Sequence, residues 1–305
     1  MTTRTIYTLI LGFLAFIRSV DVIADDVWFI DTRSAQVTPD GKIGFLSVEK
    51  LSSTPDSSKQ WMPSSLDEFL RTHDPEKPMV IMIHGNLMPR PEARSHGLAF
   101  YRYSRKIGDH RLVVWCWPSE KQYCRIRPDA QTKAIRADTQ GPCLAAFLRE
   151  FGSAKPNSKV SILGFSYGAK VMCKALDILG REQESSERGN NALRIRPILL
   201  AAAMDRSSLA PRHNYGHALD MVDEMLIHVN RNDKTLRFYP LLFRLHGPQA
   251  IGKEGVSLAG VSPENRRKVK SVRVDHLIGE DHGFMKSLFG IIACENDFRH
   301  YVLFE

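Results

Sequence analysis

The sequence predicts an α/β fold, with a mostly parallel central sheet, helices on both faces and an antiparallel hairpin at one edge. Three observations predict it. Continuous apolar runs such as Met79–Ile83 (MVIMI) and Leu112–Trp117 (LVVWCW) mark strands buried on both faces, as parallel strands are. These runs alternate with segments of helical length, the order that builds βαβ units. The β-rich runs Val27–Thr32 and Ile43–Val48 flank Thr38-Pro39-Asp40-Gly41, where Pro presets φ and Gly accepts positive φ, so they pair as a hairpin.

The remaining elements follow in order. Ser52 to Ser65 is rich in Ser and Pro and reads as loop, and Ser65–Leu70 as a short capped helix. After the strand Met79–Ile83 comes a helix from Glu92 to Ile107, then the strand Leu112–Trp117. A helix from Ala130 to Phe151 leads to the strand Lys159–Leu163, and a helix from Ala169 to Leu179 to the strand Ile195–Ala203. Ala218–Val222 reads as a crossover helix before the strand Met225–Val229, and Val269–Val274 is the last strand. Polar loops at Arg181–Asn191 and Gly247–Arg267 interrupt the rhythm without a break in composition, so residues 25–305 are expected to form a single domain.

The chain has 305 residues, of which 43% are apolar and 25% charged, which excludes a disordered, collagen-like or polytopic membrane protein. The net charge of +8 is spread thinly. Its densest basic run is Arg266-Arg267-Lys268, and no basic segment is interleaved with aromatics, so no nucleic-acid partner is expected. At the N-terminus, Arg4 precedes the apolar run Ile6–Ile17, too short for the roughly 20 residues that span a bilayer. Val22-Ile23-Ala24 supplies a small-residue cleavage site. Residues 1–24 are therefore expected to be a signal peptide, and the mature chain to be secreted or periplasmic without a stable membrane anchor. Export permits disulfides, and the five cysteines (Cys116, Cys124, Cys143, Cys173, Cys294) leave at least one thiol free. A Cys116–Cys124 bridge would clip one loop, whereas Cys143 and Cys173 sit in helical patterns that favour buried free thiols.

The chemistry concentrates at Gly164-Phe165-Ser166-Tyr167-Gly168, which joins a predicted strand directly to a predicted helix. G-x-S-x-G in that context lifts a serine hydroxyl above the sheet on a strained turn. The backbone N–H of Tyr167, at the start of the helix, is then aimed at a developing oxyanion. A second oxyanion donor is expected in His84-Gly85-Asn86 after the first buried strand, the backbone N–H of Asn86 being the candidate and His84 a loop-shaping residue.

With these residues the chain resembles the α/β-hydrolase superfamily, and within it a bacterial group of uncharacterised esterase/lipase-like hydrolases. The shared marks are His84-Gly85, Trp117-Pro118-Ser119, the serine elbow and Asn230-Arg231-Asn232-Asp233-Lys234-Thr235-Leu236, and the resemblance runs from about Lys77 to Phe289. The elbow reads Phe165-Ser166-Tyr167-Gly168 where that group has H-S-M-G.

The fold orders its triad as nucleophile, acid, histidine. Ser166 is the expected nucleophile. Asp233 follows the strand Met225–Val229 and is the expected acid, with Asp205 as competitor. His282 is the expected base, with His276 nearer the last strand. The imidazole takes the serine proton and the carboxylate fixes its tautomer. There is no H-E-x-x-H or C-x-x-C, and this chemistry requires neither metal nor cofactor. The expected activity is serine hydrolysis of a small-molecule carboxylic ester. The alternatives are an amidase or peptidase on the same triad, and a silent hydrolase fold used for binding. Only about 20 residues separate the strands ending near Ala203 and starting near Met225, and Gly247–Arg267 lacks a lid's apolar face, so the site is expected to be open and to take short-chain or soluble esters.

Overall fold

The computed structural model describes residues 26–53, 58–185, 193–243 and 247–305. The expected export segment, residues 1–24, lies outside them. No helix among the described residues is long and apolar enough to cross a membrane.

Nine strands form one sheet in the order β3-β2-β1-β5-β4-β6-β7-β8-β9. The parallel part comprises β4 (Met79–Ile83), β5 (Arg111–Cys116), β6 (Lys159–Phe165), β7 (Arg194–Leu200), β8 (Met225–Val229) and β9 (Val269–Arg273). Every residue of β4 and β5 is buried, which is why Met79–Ile83 and the part of β5 after Arg111 read as unbroken apolar runs. β1 (Val27–Val37) joins β5 in parallel, and β2 (Ile43–Ser53) turns back on it antiparallel, as the Pro-Asp-Gly turn predicts.

Two expectations need correction. The stretch read as loop contains a ninth strand, β3 (Lys59–Ser64), paired antiparallel with β2 at the sheet edge. Its residues are mostly exposed, so no apolar alternation betrays it, and Pro63 is tolerated because an edge strand need not donate on both sides. The crossover helix expected at Ala218–Val222 is only a 3-10 turn, Ala218–Met221.

Helices cover both faces. They are α1 (Leu66–Arg71), α2 (Arg90–Ser104), α3 (Ile126–Ala154), α4 (Gly168–Ser185), α5 (Phe284–Ala293) and α6 (Glu295–Leu303). Adjacent residues of β5 show the layering, since neighbouring side chains on a strand point to opposite faces. Val114 packs under Gly97 of α2, where an added Cβ would lie 2.3 Å from Val114 Cγ2. Trp115 meets Phe147 of α3 edge-on at 5.4 Å. α3 and α4 pack together on the latter face, and α2 contacts α5, which contacts α6.

At the opposite end of the sheet from the elbow, Arg111 is buried between rings and carbonyls. Its guanidinium pairs with Asp26 at 2.6 Å, donates to the carbonyls of Phe69 and Thr72, and lies over the Trp28 and Phe69 rings. It thereby ties β1, β5 and α1 together.

Four buried imidazoles, His73, His84, His110 and His228, have their pKa pushed down to about 4 by burial, which disfavours the charged form. The unfolded chain binds these protons near pH 6.5, so between pH 6.5 and about 4 it holds more protons than the folded chain. Stability therefore falls as pH falls through that window, by up to about 1.4 kcal/mol per pH unit for each imidazole. Urea denaturation at pH 7 and pH 5 is expected to give a lower midpoint at pH 5, with the difference reduced in His228→Gln. Equal midpoints would contradict the burial of these rings.

Candidate active site

The site begins with a junction that leaves no spare space. β6 ends at Phe165 and α4 starts at Gly168, so Ser166 and Tyr167 alone make the turn, and Ser166 takes φ 52°. Positive φ is uncommon for a residue with a side chain and marks a turn held by its surroundings. Those surroundings are visible. The Ser166 N–H donates to the carbonyl of Leu200 at 2.9 Å, and its own carbonyl accepts from Ala169 at 3.2 Å and Ala203 at 3.3 Å. The flanking glycines permit close approach. A Cβ at 164 would sit 2.8 Å from Ala169 Cα, and one at 168 would sit 2.5 Å from the Ile83 carbonyl oxygen.

Asp233 and His282, the expected acid and base, lie on loops after β8 and β9. His282 Nε2 lies 3.1 Å from Ser166 Oγ, and its Nδ1 lies 2.7 Å from Asp233 Oδ2. Asp233 is 1% exposed, and its second oxygen accepts from the N–H of Leu236 at 2.7 Å. The carboxylate is thus fixed at both oxygens, with Nδ1 donating to it and Nε2 left to accept from the serine. The two loops are stitched to each other. Asn230 Nδ2 donates to the carbonyl of Gly279 at 2.8 Å, and the Lys234 N–H donates to the carbonyl of Glu280 at 3.2 Å. The Phe165 ring packs on the His282 imidazole at 5.2 Å and on Phe284 at 5.0 Å.

The loop after β4 lies against the elbow. A Cβ at Gly85 would come within 2.8 Å of the Phe165 ring and 3.0 Å of Ser166 Cβ. The backbone N–H groups of Asn86 and Tyr167 have no hydrogen-bond partner among the described residues. His84 is fully buried and acts on structure. Its Nδ1 donates to the Gly85 carbonyl at 2.8 Å, its Nε2 accepts from the Trp117 N–H at 3.3 Å, and its carbonyl accepts from Trp117 Nε1 at 2.7 Å.

The structure brings Ser166, Asp233, His282, Asn86 and Tyr167 to one end of the sheet and leaves both competitors outside the hydrogen-bonded line from Asp233 through His282 to Ser166. Asp205 accepts from the Tyr239 hydroxyl at 2.8 Å, and His276 is exposed on a one-turn helix, Asp275–Ile278. All five cysteines are free, so no bridge joins Cys116 to Cys124, and Cys116 Sγ accepts from Arg33 at 3.1 Å. Gly247–Arg267 is tied to the loops at this end of the sheet: its Ile251 and Gly252 N–H groups donate to the carbonyls of Met204 and Ala202, just past β7, and the Gly252 carbonyl accepts from the Asn230 N–H at 2.8 Å. Among the described residues no group of three or more His, Cys, Asp or Glu side chains could hold a metal ion. Sequence reading missed the roles of Phe165 and Asn230. The N-x-x-D-K segment carries the signal for Asn230, since its first residue holds the loop on which the acid sits.

The arrangement can do one kind of chemistry well. A hydroxyl beside an oriented imidazole becomes a nucleophile, and two unpaired N–H groups nearby can donate hydrogen bonds to an oxygen as negative charge develops on it.

A family model described as "Alpha/beta hydrolase of unknown function (DUF900)" matches residues 57–244. No curated protein matches the chain. Among solved structures, a cutinase-like protein from Cryptococcus sp. is 14% identical with a TM-score of 0.33, the match covering 74% of this chain and 95% of that one. A thermophilic esterase from the Planctomycetes species Thermogutta terrifontis is 12% identical with a TM-score of 0.33, covering 83% and 91%. An acetyl ester-xyloside bifunctional hydrolase from Caldicellulosiruptor lactoaceticus is 16% identical with a TM-score of 0.32, covering 84% and 88%. Likenesses of this size carry no information on substrate.

The crowding at the elbow gives a stability test. A methyl at position 168 meets two carbonyl oxygens of the β4 end, at 2.5 and 2.7 Å, and backbone atoms cannot yield as a flexible side chain would. Gly168→Ala is expected to cost about 1–3 kcal/mol of stability in urea denaturation. Unchanged stability would mean that the helix does not approach the strand this closely.

Proposed function

The chain belongs to the α/β-hydrolase family DUF900, and we propose that it is a serine hydrolase that cleaves a carboxylic ester by acyl transfer to Ser166. The observation that carries the proposal is the continuous hydrogen-bond path from Asp233 through His282 to Ser166, 2.7 and 3.1 Å long. In the first half-reaction His282 Nε2 takes the proton from Ser166 Oγ as the oxygen attacks the ester carbonyl. Asp233 stabilises the imidazolium that forms. The N–H groups of Asn86 and Tyr167 bind the oxyanion of the tetrahedral intermediate. Its collapse breaks the ester bond, and His282 returns the proton to the departing alcohol. Water then attacks the acyl-serine by the same route, releasing the acid.

The substrate proposed is a short-chain or soluble ester, because the residues between β7 and β8 form no helix beyond the 3-10 turn Ala218–Met221, too little for a cap over acyl chains. Export directed by residues 1–24 is part of the same proposal. It would place the enzyme where esters from outside the cytoplasm reach it.

Two outcomes are expected. Ser166→Ala abolishes ester turnover and labelling by a fluorescent fluorophosphonate, and His282→Ala and Asp233→Asn lower kcat by orders of magnitude, whereas Asp205→Asn and His276→Ala stay near wild type. Loss of activity in Asp205→Asn with retention in Asp233→Asn would reverse the acid assignment. In a p-nitrophenyl ester series, kcat/KM peaks at short acyl length with no rate jump when the substrate forms an emulsion. A maximum at long chains with interfacial activation would show that the site is covered.

A further inference from the structure

The Trp117-Pro118-Ser119 segment has no part in the chemistry described above, yet its serine is fully buried and lies against the loop that carries Asn86. We propose that Ser119 is a positioning residue that sets the oxyanion-hole loop. The inference rests on the serine-hydrolase reading and deepens it.

The loop is held at both ends. At its start, Trp117 donates from its backbone to the His84 ring and from its indole to the His84 carbonyl. At its end, the carbonyl of Ser119 accepts from the Leu87 N–H at 2.9 Å. The Ser119 hydroxyl accepts from the Met88 N–H at 3.0 Å and donates to the Met88 carbonyl at 3.3 Å. Only Gly85 and Asn86 lie between the two anchors, and the Asn86 N–H is left unpaired among the described residues.

Two features make the Ser119 end decisive. Leu87 takes φ 58°, a left-handed conformation that a leucine leaves unless held, and its side chain is 53% exposed, so packing does not hold it. The bonds to Ser119 do. The Met88 backbone presents one donor and one acceptor to the same side chain, and a hydroxyl serves both because it donates once and accepts as well. Alanine at 119 serves neither. The Leu87 turn then relaxes toward negative φ, and the Asn86 N–H turns away from the oxyanion. Asp233 and His282 are untouched by this change, so substrate binding and the pH dependence of the base stay as they are while stabilisation of the tetrahedral state falls.

The test compares three variants of the full chain: Ser119→Ala, Leu87→Pro and Leu87→Gly. Proline removes the Leu87 N–H and forbids positive φ, whereas glycine keeps both the donor and the conformation. The readouts are kcat and KM for p-nitrophenyl acetate, the pH profile of kcat, and the inhibition constant of a trifluoromethyl ketone, which adds to a serine as a tetrahedral oxyanion. Ser119→Ala and Leu87→Pro are expected to lower kcat by roughly ten- to a hundredfold, less than or comparable to loss of a whole oxyanion donor. KM and the pH profile stay put, and ketone affinity falls by the same factor as kcat. Leu87→Gly stays close to wild type. Leu87→Pro carries the test alone if Ser119→Ala does not fold, since position 87 is half exposed. Wild-type kcat in the Ser119 or Leu87→Pro variants, or a fall in kcat without the matching loss of ketone affinity, overturns the inference. If the wild type neither turns over the ester nor adds the ketone, the serine-hydrolase reading fails, and this inference fails with it. If the wild type does both and the variants match it, the clamp alone is wrong.

Discussion

The contact between the start of α4 and the end of β4 governs everything built on this sheet. With the Gly168 Cα so near the Ile83 and His84 carbonyls that a methyl group would collide with both, the helix is pressed onto the neighbouring strand. The two residues between β6 and α4 are left no room for an ordinary turn. Ser166 accepts positive φ as a result, and three backbone hydrogen bonds, to Leu200 of β7, Ala203 just past it and Ala169 of α4, hold it there. The strain is local and the hydroxyl is its product. A looser junction would let the serine relax into the sheet surface, out of reach of any base.

Around that fixed point the remaining groups arrive on loops, and each loop is secured by backbone hydrogen bonds. Asp233 is buried and bonded at both oxygens, so the negative charge beside His282 is screened by protein dipoles more than by water. Its loop is joined to that of His282 by Asn230 and by the Lys234 N–H, which fixes the spacing of the two side chains. On the other side, His84, Trp117 and Ser119 shape the turn between β4 and α2. The site is preorganised in the sense that matters for stabilising developing charge: its dipoles are held in place before the charge appears.

How much of this was legible in the sequence depends on where the information lies. The strands buried on both faces announce themselves, because burial on both sides demands apolar residues at every position of MVIMI and of LVVWC, the stretch of β5 that follows Arg111. The elbow is legible because its glycines answer a steric demand that few other turns make. β3 was hidden because only Trp61 and Ser64 of its six residues are even half-buried, and Trp61 packs on Phe29 from the edge. The short turn at Ala218–Met221 has the composition of a helix, and α4 packs closely against the residue that precedes it. A Cβ at Gly180 would lie 2.1 Å from the His217 carbonyl. For the site, chain order narrowed the acid and base to two aspartates and two histidines. What separates Asp233 from Asp205 is tertiary: Tyr239 occupies one and His282 the other. The stitching of the loops runs largely through backbone groups, which residue types do not encode.

The central claim is that Ser166 forms the acyl-enzyme. The most direct measurement is to quench the protein in acid during turnover of p-nitrophenyl acetate and map the acetylated residue by peptide fragmentation. Trypsin cuts after Lys159 and Lys170 and releases residues 160–170 as one peptide. The account predicts an acetyl group on Ser166 within that peptide, accumulated in wild type and absent from His282→Ala. Turnover with that peptide unmodified, or with the acetyl group on another residue, would contradict it.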